Sequence, residues 1–180
     1  MNANKLALVI ALGSALAPLA NSQTTVVWRS WSLGETKIVV DLPDNLVRQP
    51  SKQVPGVGSM TVFEGNLKEP EISYSIAFCD RPLIGMFDYK GWQRDVEAVV
   101  LRQEGRTTSG PIPVPTPGLQ SAFVGGDRRL PGGVTYTTII GVIGTPDHLV
   151  MLSLSYDASR AQGLAITKRR LDSFRKEAGK

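Results

Sequence analysis

The chain has one cysteine and one histidine, and that scarcity excludes more than any motif in it establishes. With Cys79 alone, an intramolecular disulfide is impossible, so stability must come from packing. No two-His metal site exists, and one Cys with one His cannot build a structural zinc centre without unusually many carboxylates. A lone thiol in an oxidising compartment is a liability, so Cys79 is expected buried as a small apolar residue. Any Ser-His-Asp arrangement would have to use His148, whose sequence neighbour Asp147 is poorly placed to orient it. No Gly-x-Ser-x-Gly elbow is present, and Gly56-Val57-Gly58-Ser59 matches neither that elbow nor a phosphate-binding glycine pattern. Basic residues cluster only at Arg128-Arg129 and Lys168-Arg169-Arg170. That is too sparse for a nucleic-acid footprint, and solvated faces explain both clusters.

Long apolar runs are also missing, apart from the first segment. Lys5 precedes the apolar stretch Leu6–Ala17, and Ala20-Asn21-Ser22 places small residues where a signal peptidase cuts. The apolar core is well short of the ~20 residues a helix needs to span a bilayer. Residues 1–22 therefore read as a cleavable signal peptide, and the mature protein as periplasmic or secreted. No cysteine follows to carry a lipid, and no arginine pair points to twin-Arg export. Residues 23–180 fit a single α+β domain, and the full chain's formal charge of +4 drops by one when Lys5 leaves with the signal.

Periodicity orders that domain. The stretch Val134–Tyr156 holds two β-rich runs around Thr145-Pro146-Asp147-His148, a hairpin expected at the centre of the sheet with its tip toward solvent. Residues 24–31 and 37–42 predict an N-terminal hairpin, and 58–64 a short strand. Residues 71–79 alternate cleanly: Ile72, Tyr74, Ile76 and Phe78 on a core face, small residues on the other, where a helix could pack. Arg48–Gly58, with Pro50 and Pro55, reads as a loop. A helical period runs from Tyr89 to about Gly105 through Trp92, Val96 and Val99, and a strand from Leu119 to Arg129. Gly141 and Gly144 mark places where a bulky side chain or helix lies close. A closing helix is expected from about Arg160 to Ala178, with Ala161, Leu164, Leu171 and Phe174 on one face.

Between helix and strand, Gly110–Gly118 carries proline at every second position. Each proline removes a donor and fixes φ, so the segment is expected as an extended polyproline-like arm rather than a ladder strand. A rigid spacer is the favoured reading, and a presented recognition loop the alternative. Glu64, Glu69 and Glu71, and Asp80, Asp88 and Asp95, are expected to solvate turns and cap the helix.

The element order, with Ile38-Val39-Val40-Asp41-Leu42-Pro43, a central helix, a three-strand meander and a closing helix containing Ser173-Phe174, resembles the PsbP-like fold. Extrinsic photosystem proteins, a Ran-binding nuclear import factor and bacterial envelope and secretion-system adaptors share it. The resemblance implies an antiparallel sheet of about six to seven strands flanked by two main helices, usually serving protein binding. The family has no common catalytic set, so no residue role carries over, and the proline arm is not a family feature.

The expectation is a non-enzymatic periplasmic protein-binding domain. It would act as an envelope or secretion-system adaptor or chaperone, or as an inhibitor or immunity protein neutralising an exported enzyme or toxin. Its partner would be another exported or envelope protein. Neither cofactor, metal, nucleic acid nor stable membrane anchor is expected. The candidate contacts are Pro111, Pro113, Pro115, Pro117, Arg128 and Arg129, together with loops near Trp92. The alternatives are a hydrolase using Cys79 or His148, and a carrier of a small apolar ligand.

Overall fold

A computed structural model describes residues 26–54, 58–68, 71–79, 87–101, 107–114, 116–145 and 148–177. The expected signal peptide lies outside them. Ten strands and two helices follow in order: β1 (Trp28–Ser32), β2 (Ile38–Pro43), β3 (Val47–Val54), β4 (Gly58–Lys68), β5 (Glu71–Cys79), α1 (Tyr89–Asp95), β6 (Thr107–Pro111), β7 (Gln120–Arg129), β8 (Thr135–Gly144), β9 (Leu149–Asp157), α2 (Ala161–Leu171) and β10 (Arg175–Lys176). A seven-stranded sheet runs β3-β4-β5-β9-β8-β7-β6, and a second, three-stranded sheet runs β1-β2-β10. Every pair is antiparallel. The class is α+β, with the hairpin β8–β9 inside the large sheet as its sequence anticipated.

The large sheet is covered on both faces, and the alternation of β5 shows why. Ile72, Tyr74, Ile76 and Phe78 enter a core with Leu152, Leu154 and Phe123, roofed by Ile38, Val40 and Leu42 of the small sheet and by Leu171 and Phe174. Ala77, one step out of phase, enters a second core with Met60, Val142 and Met151, on which Trp92 and Val96 of the helical segment sit fully buried. Small residues on that face leave room for the indole. Two glycines are explained by close approach: a Cβ on Gly141 would run into the Phe123 ring directly opposite, and one on Gly144 into the Tyr89 hydroxyl.

Four expectations are corrected. Residues 47–54 form an edge strand against β4, with a register shift between Gln49 and Lys52 that absorbs Pro50, so the segment is not a loop. The proline arm begins as a ladder strand, since Pro111 pairs with Val124 and the Ile112 N–H donates to the Phe123 carbonyl at 3.0 Å. Edge position makes this possible, because a proline facing outward leaves no ladder bond unmade. The first helix is α-helical only to Asp95 and continues as a π-helical turn over Val96–Leu101. The closing helix stops at Leu171, and the chain then lays Arg175-Lys176 against β2, which brings Phe174 back into the core.

The inward face of α2 differs too. Leu164 is 56% exposed, while Gly163, Thr167, Arg170 and Leu171 are buried. Gly163 sets this rotation, because the Tyr156 ring lies 3.3 Å from where its Cβ would stand and the helix packs close to β9 there.

Candidate functional site

Helix α1 and the start of β7 enclose an open groove of about 720 Å³. Its local frame begins with Asp88, whose carboxylate accepts from the Gly91 N–H at 2.8 Å and caps the helix. That bears out the capping role for Asp88; Asp95 ends the helix instead, and Asp80 lies outside the described residues. Phe87 and Tyr89 meet edge to face, with centroids 5.0 Å apart at 77°. Lys90 and Gln93 line one wall, and Gln120 and Ser121 the other. Burial pushes the Tyr89 phenol up to about 12, so it remains a neutral donor at physiological pH.

No described residue of the proline arm lines this groove. Thr116 and Ser121 hydroxyls are 2.9 Å apart, which ties the arm to the start of β7 on its first-core face. Along the arm, Ile112 and Val114 pack into the first core while Pro111, Pro113 and Pro117 are exposed. The result is a strap pinned by its aliphatic residues, with prolines outward. Pro115 lies outside the described residues. Arg128 and Arg129 are exposed at the far end of β7, whose ten residues span about 30 Å. The structure therefore ties the arm to the start of β7, and leaves the helix start and the arginine pair apart from it.

No family model and no curated protein matches this chain.

Cys79 is 5% exposed at the end of β5, opposite Met60. A thiol in such a packed layer is inert. His148 closes the β8–β9 turn: its carbonyl accepts from the Thr145 N–H at 3.0 Å, and its own N–H donates to the Thr145 hydroxyl at 3.2 Å. It is half-buried, and its Nε2 is buried without a hydrogen-bond partner among the described residues, so the histidine is not the solvent-facing tip its sequence neighbours implied. Pro146 and Asp147 lie outside the described residues. Among the described residues no group of three His, Cys, Asp or Glu is placed to hold a metal ion, and no helix is long and apolar enough to cross a membrane.

The structure adds a residue that the sequence concealed. Arg170 is 2% exposed, with its guanidinium 4.0 Å from the centroid of the Tyr74 ring. Among the described residues, Nε and both Nη atoms lack hydrogen-bond partners, as does the buried Thr167 Oγ1 one turn earlier. Burial lowers the Arg170 pKa to about 10, which leaves it cationic at neutral pH. Tyr74, pushed by burial up to about 12, is neutral and cannot offset that charge. Its hydroxyl donates to Asn45 Oδ1, and Asn45 Nδ2 donates to the Asn66 carbonyl at 2.7 Å. The run Lys168-Arg169-Arg170 looked solvated, yet successive helical residues turn by about 100°, so three in a row cannot share one face. That spacing is the signal that was available.

Proposed function

We propose that this is an exported, non-enzymatic protein-binding domain of PsbP-like type, serving envelope machinery as an adaptor or neutralising an exported partner. The groove between α1 and β7 carries this reading. It is open, and lined by an aromatic pair, by Lys90 and by the amide side chains of Gln93 and Gln120. Such a surface suits an extended polypeptide: rings bury apolar side chains and amides bond main-chain groups. Burial of Cys79 in a packed layer favours binding over thiol chemistry. The two-sided cover of a broad antiparallel sheet is what supports the PsbP-like assignment.

The test is photo-crosslinking in the exporting cell, with a photoactivatable residue at Gln93 and a comparator at Gln53 on β3. A discrete adduct with an exported protein at Gln93, lost in Tyr89→Ala and absent at Gln53, supports the reading. Equal adducts at both positions, or none, overturn it. Rapid alkylation of Cys79 in the folded protein would return the hydrolase alternative.

A further inference from the structure

Free sheet edges pair with other chains unless something blocks them. Both edges of the large sheet are blocked in the same manner. β3 carries Pro50 within a register shift, and β6 ends in Pro111 after a shift between Thr108 and Gly110. In the small sheet, β10 is two residues long, and the Cβ position of Gly118 on the arm lies 4.0 Å from Lys176 Cβ. β1 differs from all three. Its five residues contain no proline and pair with β2 in unbroken register from Trp28↔Pro43 to Ser32↔Val39.

The direction of its main chain follows from two hydrogen bonds. Asp44 N–H donates to the Val27 carbonyl at 3.0 Å, and Leu33 N–H to the Ile38 carbonyl at 3.0 Å. Antiparallel pairing alternates, so Val27, Arg29, Trp31 and Leu33 turn their main-chain groups toward β2. The N–H and C=O groups of Trp28, Ser30 and Ser32 then face away from β2, on the side where no described strand pairs.

This edge is also basic and rigid. The Arg169 guanidinium sits 4.5 Å from the Trp28 ring centroid and forms no ion pair with a described residue. Arg175 braces Ser30 and Asp41 from the far side at 3.1 and 3.3 Å. Arg29 stands beside Asp44 at 3.7 Å. Charge selects among occupants: a second copy pairing through its own β1 would bring Arg29 and Arg169 of both molecules together, whereas a carboxylate would meet a cation held in place by stacking on Trp28.

We infer that β1 accepts an extended acidic segment of a partner protein as a fourth strand of the small sheet, with a carboxylate on Arg169. The inference rests on the protein-binding reading but uses a surface separate from the groove. The probe is a seven-residue peptide of alternating valine and glutamate, added to the mature protein and followed by residue-resolved amide hydrogen exchange. Slowed exchange at Trp28, Ser30 and Ser32 is expected. Arg169→Ala should weaken binding about tenfold, with less effect at high salt. A peptide with lysine for glutamate, and one N-methylated on its facing edge, should not bind. Ser32→Pro removes an outward N–H without a ladder bond and should abolish binding, while the N-methylated peptide gives the same answer on unmodified protein. Protection at Tyr89 and Gln93 instead would overturn the β1 site and leave the groove reading standing. Absence of binding, equal binding of the lysine peptide, or a dimer protecting β1 without peptide would each overturn the inference.

Discussion

The Arg170 guanidinium stacks 4.0 Å from the centroid of the Tyr74 ring, and none of its three nitrogens has a hydrogen-bond partner among the described residues. A cation over an aromatic face gains about 2 kcal/mol when desolvated, whereas burying an unpaired ion costs several. The ring and the aliphatic stem hold the side chain in place, but the charge itself opposes folding.

Arg170→Met keeps the stem and removes the charge. It is expected to raise stability by about 1–4 kcal/mol, read from urea unfolding. A loss of more than about 1 kcal/mol would show that the charge is compensated.

Gly141 faces Phe123 across β7 and β8, and a Cβ there would stand inside the ring. Gly141→Ala is expected to cost about 1–3 kcal/mol through overpacking. Combining it with Phe123→Leu should recover part of that loss, a coupling measurable by a double-mutant cycle. Strict additivity would mean the two residues do not compete for the same space.

Asp41 links the two ends of the domain. The Ser30 hydroxyl hydrogen bond and the Arg175 guanidinium together hold its carboxyl below the usual range. A lowered folded pKa means the contribution is present above the unfolded value of about 3.9 and is lost as pH falls below it. Asp41→Asn should therefore flatten the decline in urea midpoint below about pH 4. An unchanged acid slope would remove Asp41 from the account.

Tyrosine gives the alkaline counterpart. Burial raises Tyr74, Tyr89 and Tyr136 to about 12 and shifts Tyr156 upward as well. Folded pKa values above the unfolded value of about 10 mean that stability is complete below pH 10 and lost as pH rises toward 12. Absorbance titration of native protein should show no phenolate near pH 10, and ionisation should coincide with unfolding. A phenol titrating freely near 10 would contradict this.

Much of the scaffold could be read locally. The alternation of Ile72 to Phe78, the small residues on the opposite face and the helical return of Trp92 and Val96 predicted a sheet covered on both sides, and both cores contain those residues. Gly141 and Gly144 were legible for the same reason: a missing side chain inside a β-rich run marks a close neighbour. β3 was not, because Val47 is 61% exposed and β3 is an edge held by ladder hydrogen bonds, which leave no apolar period. Of the candidate site, the arm and the helix start were visible separately.

The sequence by itself determined the α+β class, the central hairpin, the expectation of export and the poverty of catalytic groups, because each rests on local period or composition. Long-range packing set β1 and β2 apart from the main sheet, laid the proline arm against the first core and turned Arg170 inward beneath its solvated neighbours. Those depend on which distant strand offers a ladder and which face of α2 can approach β9, and no local pattern encodes a choice made between segments far apart in the chain.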